Sequence, residues 1–146
     1  HDPFAPERLQ PEAIARFALL SKSRRWVWIT GNHDPQVPYM LAGERADELC
    51  FGPLKLRHIP QLRETSGGEI AGHLHPVASI VRRERTVRRP CFACDGSRLI
   101  MPAFGALTGG LPLSNPAFQG LFVDARLVAY LIGADRLHAV PSQGLY

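Results

Sequence analysis

The pattern of apolar and polar residues divides the chain into a helical segment followed mostly by strands. Apolar residues recur at helical spacing and predict an amphipathic helix from Arg8 to Leu20. The run from Trp26 to Thr30 predicts a buried strand, and residues 42–50 are interpreted as a short helix. A helix, then a strand, then a polar loop is an order typical of an α/β sandwich.

From residue 54 onwards the pattern is that of short strands. Alternation over residues 54–58 predicts a strand that places His58 on the same face as Leu54 and Leu56. Turns are expected at residues 83–85 and 95–96, and an ordered loop rich in Gly and Pro over 104–116. Further strands are predicted over residues 77–81, 87–93, 99–102, 121–123, 127–132 and 137–140. The sequence therefore predicts one α/β domain over residues 1–146, mostly β in its C-terminal half.

Composition adds that this is an ordinary globular chain. Hydrophobic residues make up 45% and charged residues 21%, and no stretch approaches the roughly 20 apolar residues that cross a membrane. Three cysteines form no disulfide framework, which favours a reducing, cytoplasmic compartment. Cys91 and Cys94 stand three apart on a predicted strand and so face opposite sides, which favours buried thiols over a zinc site.

The excess of positive charge is concentrated in one stretch. The net charge is +4, and the stretch contributes Arg82, Arg83, Arg85, Arg88 and Arg89. Such a cluster favours a polyanion such as DNA through counterion release. The alternative is a solvated hairpin whose arginines serve solubility. No aromatic residues are interleaved with the arginines, so a base-stacking platform is not indicated.

Two short segments carry the candidate chemistry. Residues 31–35 read Gly-Asn-His-Asp-Pro and residues 72–76 read Gly-His-Leu-His-Pro, and each follows a strand-like run. In each, a glycine is expected to let the chain turn sharply before residues of metal-ligand type. His73 and His75 would point to the same side if extended geometry persisted through Leu74.

These motifs, with His58 between them, resemble the second half of a calcineurin-like metallophosphoesterase. Residues 104–111, residues 91–96 and the arginine stretch further resemble the ligase-associated DNA damage response endonuclease branch, and the resemblance runs from His1 to about Val140. It implies part of a four-layer α-β-β-α sandwich. It also implies two divalent metal ions, most often Mn²⁺, with Fe or Zn as possible ions.

The resemblance also implies roles for individual residues. Asn32, His58 and His73 would bind one metal and His75 the other. Metal-bound hydroxide would attack phosphorus, and His33 would assist the leaving oxygen while Asp34 orients it.

Two metal-binding segments of that superfamily are absent from the sequence. No Asp-x-His and no Gly-Asp occurs before Gly31, and the opening His1-Asp2-Pro3-Phe4 resembles the tail of the second segment. We therefore expect a chain truncated at its N-terminus, with an incomplete two-metal site.

The resemblance favours DNA as the substrate and a functional association with a DNA ligase and a helicase, with no membrane partner. Two other functions stay open. The chain could be a catalytically inactive module that binds nucleic acid or protein, or a small-molecule phosphodiesterase. The sequence leaves open the oligomeric state and the choice between endonuclease and exonuclease.

Overall fold

The computed structural model describes residues 9–32, 41–62, 67–105 and 108–145. The described residues form one α-helix, α1 (Pro11–Ser21), and strands that dominate the remainder. The strands are β1 (Val27–Ile29), β2 (Glu44–Ala46), β3 (Glu48–Phe51), β4 (Leu54–Arg57), β5 (Gly68–Ala71), β6 (Pro76–Arg82), β7 (Arg85–Cys94), β8 (Arg98–Ile100), β9 (Leu111–Pro112), β10 (Val128–Ile132) and β11 (Leu137–Pro141). The chain divides into two compact units, residues 1–49 and 50–146.

The first unit is built on aromatic contacts between helix and strand. Phe17 of α1 packs edge-on against Trp26 with ring centroids 4.8 Å apart, and lies 5.3 Å from the ring of Trp28. Strand β1 pairs in parallel with β2. The predicted helix is confirmed, and it begins at Pro11 because Gln10 is extended and proline suits the first helical position.

The short helix predicted over residues 42–50 is wrong, since this segment forms β2 and most of β3. The backbone N–H of Glu44 donates to Trp26 O at 2.8 Å, and Arg25 binds the Glu44 carboxylate with two hydrogen bonds of 2.9 and 2.7 Å. Gly43 has φ +139° and would place a Cβ only 2.7 Å from Trp28 Nε1. Pairing with β1 therefore outweighs the local helix preference.

The second unit is centred on a mixed sheet. Its strand order is β11-β10-β7-β8-β5-β4-β3, and β6 pairs with β7 and β9 beside this path. Strands β4, β5 and β8 are parallel to one another, whereas β7, β10 and β11 are antiparallel neighbours. The parallel strands consequently end at one edge, where loops can present side chains.

Two clusters of buried residues form the core of the second unit. One comprises Leu74, Ile100, Phe118 and Leu121. The other comprises Ala78, Cys91, Ala129 and Leu131. The half-buried Leu113 packs against both clusters.

The strand predicted over residues 121–123 is wrong. This segment is a turn between two short 3₁₀ helices, Pro116–Phe118 and Asp124–Arg126. Its backbone forms hydrogen bonds with side chains and not with a neighbouring strand. Arg98 donates to Leu121 O, and the N–H of Val123 donates to Asp95 Oδ2 at 2.9 Å. The other strands predicted after residue 54 are present, with ends shifted by one or two residues. Within the described ranges, no helix has the length and apolar character needed to cross a membrane.

Candidate metal centre

The candidate histidines of the second unit follow two neighbouring parallel strands. His58 comes directly after β4, and the segment Gly72-His73-Leu74-His75 comes directly after β5. The N–H of Gly72 donates to His58 O at 3.0 Å, so the hydrogen bonding of the two strands continues into the loops. His58 was predicted within the strand and instead lies just beyond its end, where its side chain can reach across to the next loop.

The imidazole rings of His58 and His73 meet at this edge. His58 Nε2 lies 3.2 Å from His73 Nδ1, and the ring planes are inclined by 72° with centroids 5.1 Å apart. Both side chains are half-buried. The structure thus brings together two of the four predicted metal ligands.

The expected extended geometry of the His73 to His75 segment is wrong. His73 has φ +63° and His75 has φ +47°, both in the left-handed region. The N–H of Leu74 donates to Gly72 O at 2.7 Å, which closes a γ-turn of the rare form with a positive φ at its central residue. The sharp turn is therefore made by histidines, and not by Gly72, which has no positive φ. Backbone strain of this kind is concentrated at functional sites.

Leu74 explains how the strained segment is held. Its side chain is 9% exposed and packs in the first core cluster with Ile100 and Phe118. Burying a leucine side chain contributes about 1.5–3 kcal/mol, which is comparable to the roughly 1–3 kcal/mol that one such φ costs. The two flanking histidines, His73 and His75, are only half-buried.

The backbone of His75 is fixed by the segment that follows β8. The N–H of Leu111 donates to His75 O at 3.1 Å. A Cβ on Gly110 would lie 2.4 Å from His75 O and 2.5 Å from Val77 Cγ1, so only glycine fits there. Residues 110–112 of the predicted loop over 104–116, two of which form β9 and not a loop, therefore pack against the C-terminal end of the Gly72–Pro76 motif.

The remaining predicted site residues belong to the first unit. Asn32 is exposed and follows β1. The predicted catalytic residues, His33 and Asp34, lie outside the described residues. Within residues 9–32, 41–62, 67–105 and 108–145, no group of three or more His, Cys, Asp or Glu side chains could hold a metal ion.

A buried network of charges lies on the strands that precede the histidine pair and on their neighbour β8, and the sequence did not predict it. Glu69 of β5 accepts from Arg98 Nε of β8 and lies 3.3 Å from Arg57 Nε of β4. All three residues are at most 7% exposed. A signal was present in the sequence, because each of these short strands carries charged residues among apolar ones (Lys55 and Arg57 on β4, Glu69 on β5 and Arg98 on β8), and a charge that is buried alone is costly.

The network also fastens the loop that follows His58. The N–H of Gln61 donates to Glu69 Oε1 at 3.1 Å, and Arg98 Nη2 donates to Gln61 O. The backbone N–H and C=O of Gln61 are therefore both hydrogen-bonded to side chains of the network, one on β5 and one on β8. The network contributes rigidity where His58 leaves β4.

The cysteines take no part in the candidate site. Burial raises the pKa of the Cys91 thiol to about 12, so the thiol stays protonated and is a poor metal ligand or nucleophile. Cys94 is half-buried and its sulfur accepts from the N–H of Gly96 at 3.3 Å. The interpretation of these residues as strand thiols is confirmed for Cys91, which is buried in the second core cluster.

The predicted arginine cluster lies on the hairpin of β6 and β7. Arg83 is in the turn, and Arg85, Arg88 and Arg89 are exposed on β7. Arg82 ends β6 opposite Arg85 in the register. Arg88 Nη2 donates to Gly110 O at 2.8 Å, so this arginine is also tied to the segment that packs on His75.

The fold is shared with a nuclease of known structure. The crystal structure of the Pseudomonas putida nuclease MPE matches with a TM-score of 0.63 and 30% sequence identity. The match covers 88% of this chain and 60% of the nuclease, so the chain spans about three fifths of that protein's length. No protein-family model and no curated protein matches the chain. The predicted α/β class with a strand-rich C-terminal half is confirmed.

Proposed function

We propose that the chain is part of a metal-dependent nuclease of the metallophosphoesterase type that hydrolyses phosphodiester bonds in DNA. The observation that carries this proposal is the separation of 3.2 Å between His58 Nε2 and His73 Nδ1 at the carboxyl edge of β4 and β5. The fold shared with a Pseudomonas putida nuclease and the paired histidine motifs support it further.

The histidine pair fits a divalent ion. Two imidazole nitrogens at about 2.0–2.1 Å from one ion, with an angle between octahedral and tetrahedral, lie roughly 2.8–3.4 Å apart. The observed 3.2 Å falls within that interval. The half-buried rings and the strained turn at His73 are also typical of a preorganised site.

In this proposal His58 and His73, with the amide oxygen of Asn32, hold one ion, and His75 holds a second. Mn²⁺ is favoured by the resemblance, and the mixed nitrogen and oxygen donors also suit Fe or Zn. When bound, the ions would activate water and neutralise charge on the phosphoryl oxygens.

His33 and Asp34 supply the acid chemistry in this proposal. His33 would donate a proton to the leaving oxygen of the cleaved phosphodiester. Asp34 would accept the other ring N–H of His33 and so keep the donating nitrogen aimed at the substrate. These two roles rest on the motif of residues 31–35 and its resemblance.

The biological setting also rests on the resemblance. The endonuclease branch favours DNA repair and a functional association with a DNA ligase and a helicase. The arginine cluster adds a preference for polyanions, which is consistent with nucleic acid as the substrate.

Binding of Mn²⁺ measured by isothermal titration calorimetry tests the histidine pair. We expect His58→Ala and His73→Ala each to weaken binding by about tenfold or more. His138→Ala is the matched control, because His138 is an exposed histidine on β11. Equal affinities for His58→Ala and His138→Ala would remove the pair from the site.

Hydrolysis of bis-p-nitrophenyl phosphate tests the chemistry. Turnover that depends on Mn²⁺ and is lost in His33→Ala, with folding checked by circular dichroism, would support the proposal and would mean that the site assembles despite the two absent segments. Retained Mn²⁺ binding without any turnover would favour an inactive binding module over a nuclease.

A further inference from the structure

The hairpin of β6 and β7 extends beyond the sheet as a two-stranded ribbon. Strand β6 pairs with β9 only at Pro76 and Val77, and β7 meets β8 and β10 only over residues 91–94. Among the described residues, residues 78–82 and 85–89 have only each other as strand partners. We refer to residues 78–89 as the arginine ribbon. Ala78 is buried in the second core cluster, so the base of the ribbon is anchored.

The arginine ribbon carries a charge equal to the net charge of the whole chain. It contains five arginines and one acid, Glu84, giving a net +4, and the 146 residues together also carry +4. The remainder of the chain is therefore neutral on balance. In the described part of the chain, no carboxylate forms an ion pair with Arg83, Arg85 or Arg89.

The arginines are distributed over both faces and the tip of the ribbon. Strand alternation places Arg85 and Arg89 on one face and Arg88 on the other. Arg83 and Glu84 are the central residues of the turn, with φ +50° and +63°, as in a type I′ turn. Such turns favour Asn and Gly, so an arginine here costs about 1 kcal/mol or more. The tip thus keeps a cation at a position where local conformation favours other residues.

Strand β6, which leads into the arginine ribbon, begins where the candidate metal centre ends. His75 directly precedes the first residue of β6. Arg88 Nη2 donates to the carbonyl of Gly110, and that glycine packs on His75 O. From Pro76 to Arg82 the strand spans roughly 20 Å, which is about the rise of six nucleotides of B-form DNA. A nucleic acid held along the ribbon would therefore lead directly to the histidines.

We infer that the arginine ribbon is a nucleic-acid-binding arm that holds the phosphate backbone beside His75. The inference rests on the proposed function for what happens after binding. Because the ribbon has no aromatic residues, it offers no surface on which bases could stack, and its arginines hold phosphates by charge. Binding is therefore sensitive to salt.

Fluorescence anisotropy with a fluorescein-labelled DNA duplex tests the arm, on the full chain and in EDTA so that no hydrolysis occurs. The variant combines Arg83→Gln, Arg85→Gln and Arg89→Gln. The control combines Arg16→Gln, Lys22→Gln and Arg136→Gln, which removes the same charge from exposed positions elsewhere. Affinities are measured between about 50 and 200 mM salt.

We expect the ribbon variant to bind at least about tenfold more weakly and to lose up to about three units from the salt slope. The control should stay within about twofold of the unaltered chain. Equal losses in both variants would assign binding to diffuse charge and overturn the arm, as would an absence of binding by the unaltered chain.

The two proposals can fail separately. DNA binding in EDTA needs no metal, whereas hydrolysis of bis-p-nitrophenyl phosphate by the unaltered chain needs no arm. Loss of DNA binding in the ribbon variant, with no hydrolysis by the unaltered chain, would support the arm and favour an inactive binding module over a nuclease. Hydrolysis by the unaltered chain, with unchanged DNA binding by the ribbon variant, would refute only the arm.

Discussion

His58 Nε2 and His73 Nδ1 lie 3.2 Å apart although the residues are separated by fifteen positions in the chain. Parallel pairing of β4 with β5 accounts for this, because Arg57 and Ala71 are partners in the register and each histidine follows within two residues. A protein can therefore build a ligand pair from two short loops when the strands before them are in fixed register.

We predict that Leu74→Ala impairs both the stability of the fold and the binding of Mn²⁺. Leu74 is buried between the two strained histidines, so truncation should lower the free energy of unfolding by about 2–5 kcal/mol and weaken Mn²⁺ binding as well. Leu131→Ala is the control, since Leu131 is 3% exposed in the other core cluster. Urea denaturation and calorimetry measure both effects. A similar loss of Mn²⁺ affinity in both variants would show that Leu74 has no special role at the site.

Glu69→Gln should be strongly destabilising. The substitution removes a carboxylate that faces both Arg57 and Arg98, which are nearly fully buried. Breaking a buried ion pair from one side costs about 3–5 kcal/mol. Urea denaturation measures the loss.

The matched control for Glu69→Gln is Glu44→Gln, which breaks the exposed pair with Arg25. Solvent screens this pair, so its loss should change stability far less. Equal effects of the two substitutions would contradict the structural role assigned to the buried network.

Gly110→Ala should perturb the histidine segment through the backbone. Its Cβ would lie 2.4 Å from His75 O, so Gly110 or His75 must move. We expect a lower melting temperature and weaker Mn²⁺ binding. Gly109→Ala is the control, because a Cβ there meets nothing within 4 Å. If Gly110→Ala behaved like Gly109→Ala in thermal melts and calorimetry, the close packing on His75 would not constrain the site.

The amount that could be predicted from sequence differs between the fold and the site. The apolar pattern identified β4, β6, β7 and β10 because each has buried or half-buried apolar residues in the sheet. It failed over residues 121–123, where backbone groups bond to Arg98 and Asp95. Hydrogen bonds between the backbone of a loop and side chains far away in the sequence leave no periodic pattern in the residues of that loop.

For the site, motif residues were identifiable but their conformations were not. The positive φ values of His73 and His75 depend on burial of Leu74 against residues more than twenty-five positions away. The ion network of Arg57, Glu69 and Arg98 was missed for a related reason. Parallel register brings these charges together, and register is a property of three strands at once.

Asp95 gives a prediction about pH. Burial alone would raise the pKa of its carboxyl, but hydrogen bonds from the N–H groups of Val123, Arg98 and Ser97, with the charge of Arg126, lower the pKa overall. The charged carboxylate therefore stabilises the fold at pH values above the unfolded-state pKa of about 3.9, and this contribution is lost as the pH falls through the lower folded-state pKa.

We predict that Asp95→Asn costs about 1–3 kcal/mol at pH 7, because an amide cannot accept all three hydrogen bonds. The difference from the unaltered chain should shrink in acid, as the carboxyl of the unaltered chain also becomes protonated. Urea denaturation at neutral pH and below the unfolded-state pKa measures this. The exposed Asp135→Asn serves as the control and should show little difference at either pH. A difference for Asp95→Asn that stayed constant with pH would mean that the charge of the carboxylate contributes nothing beyond its hydrogen-bond geometry.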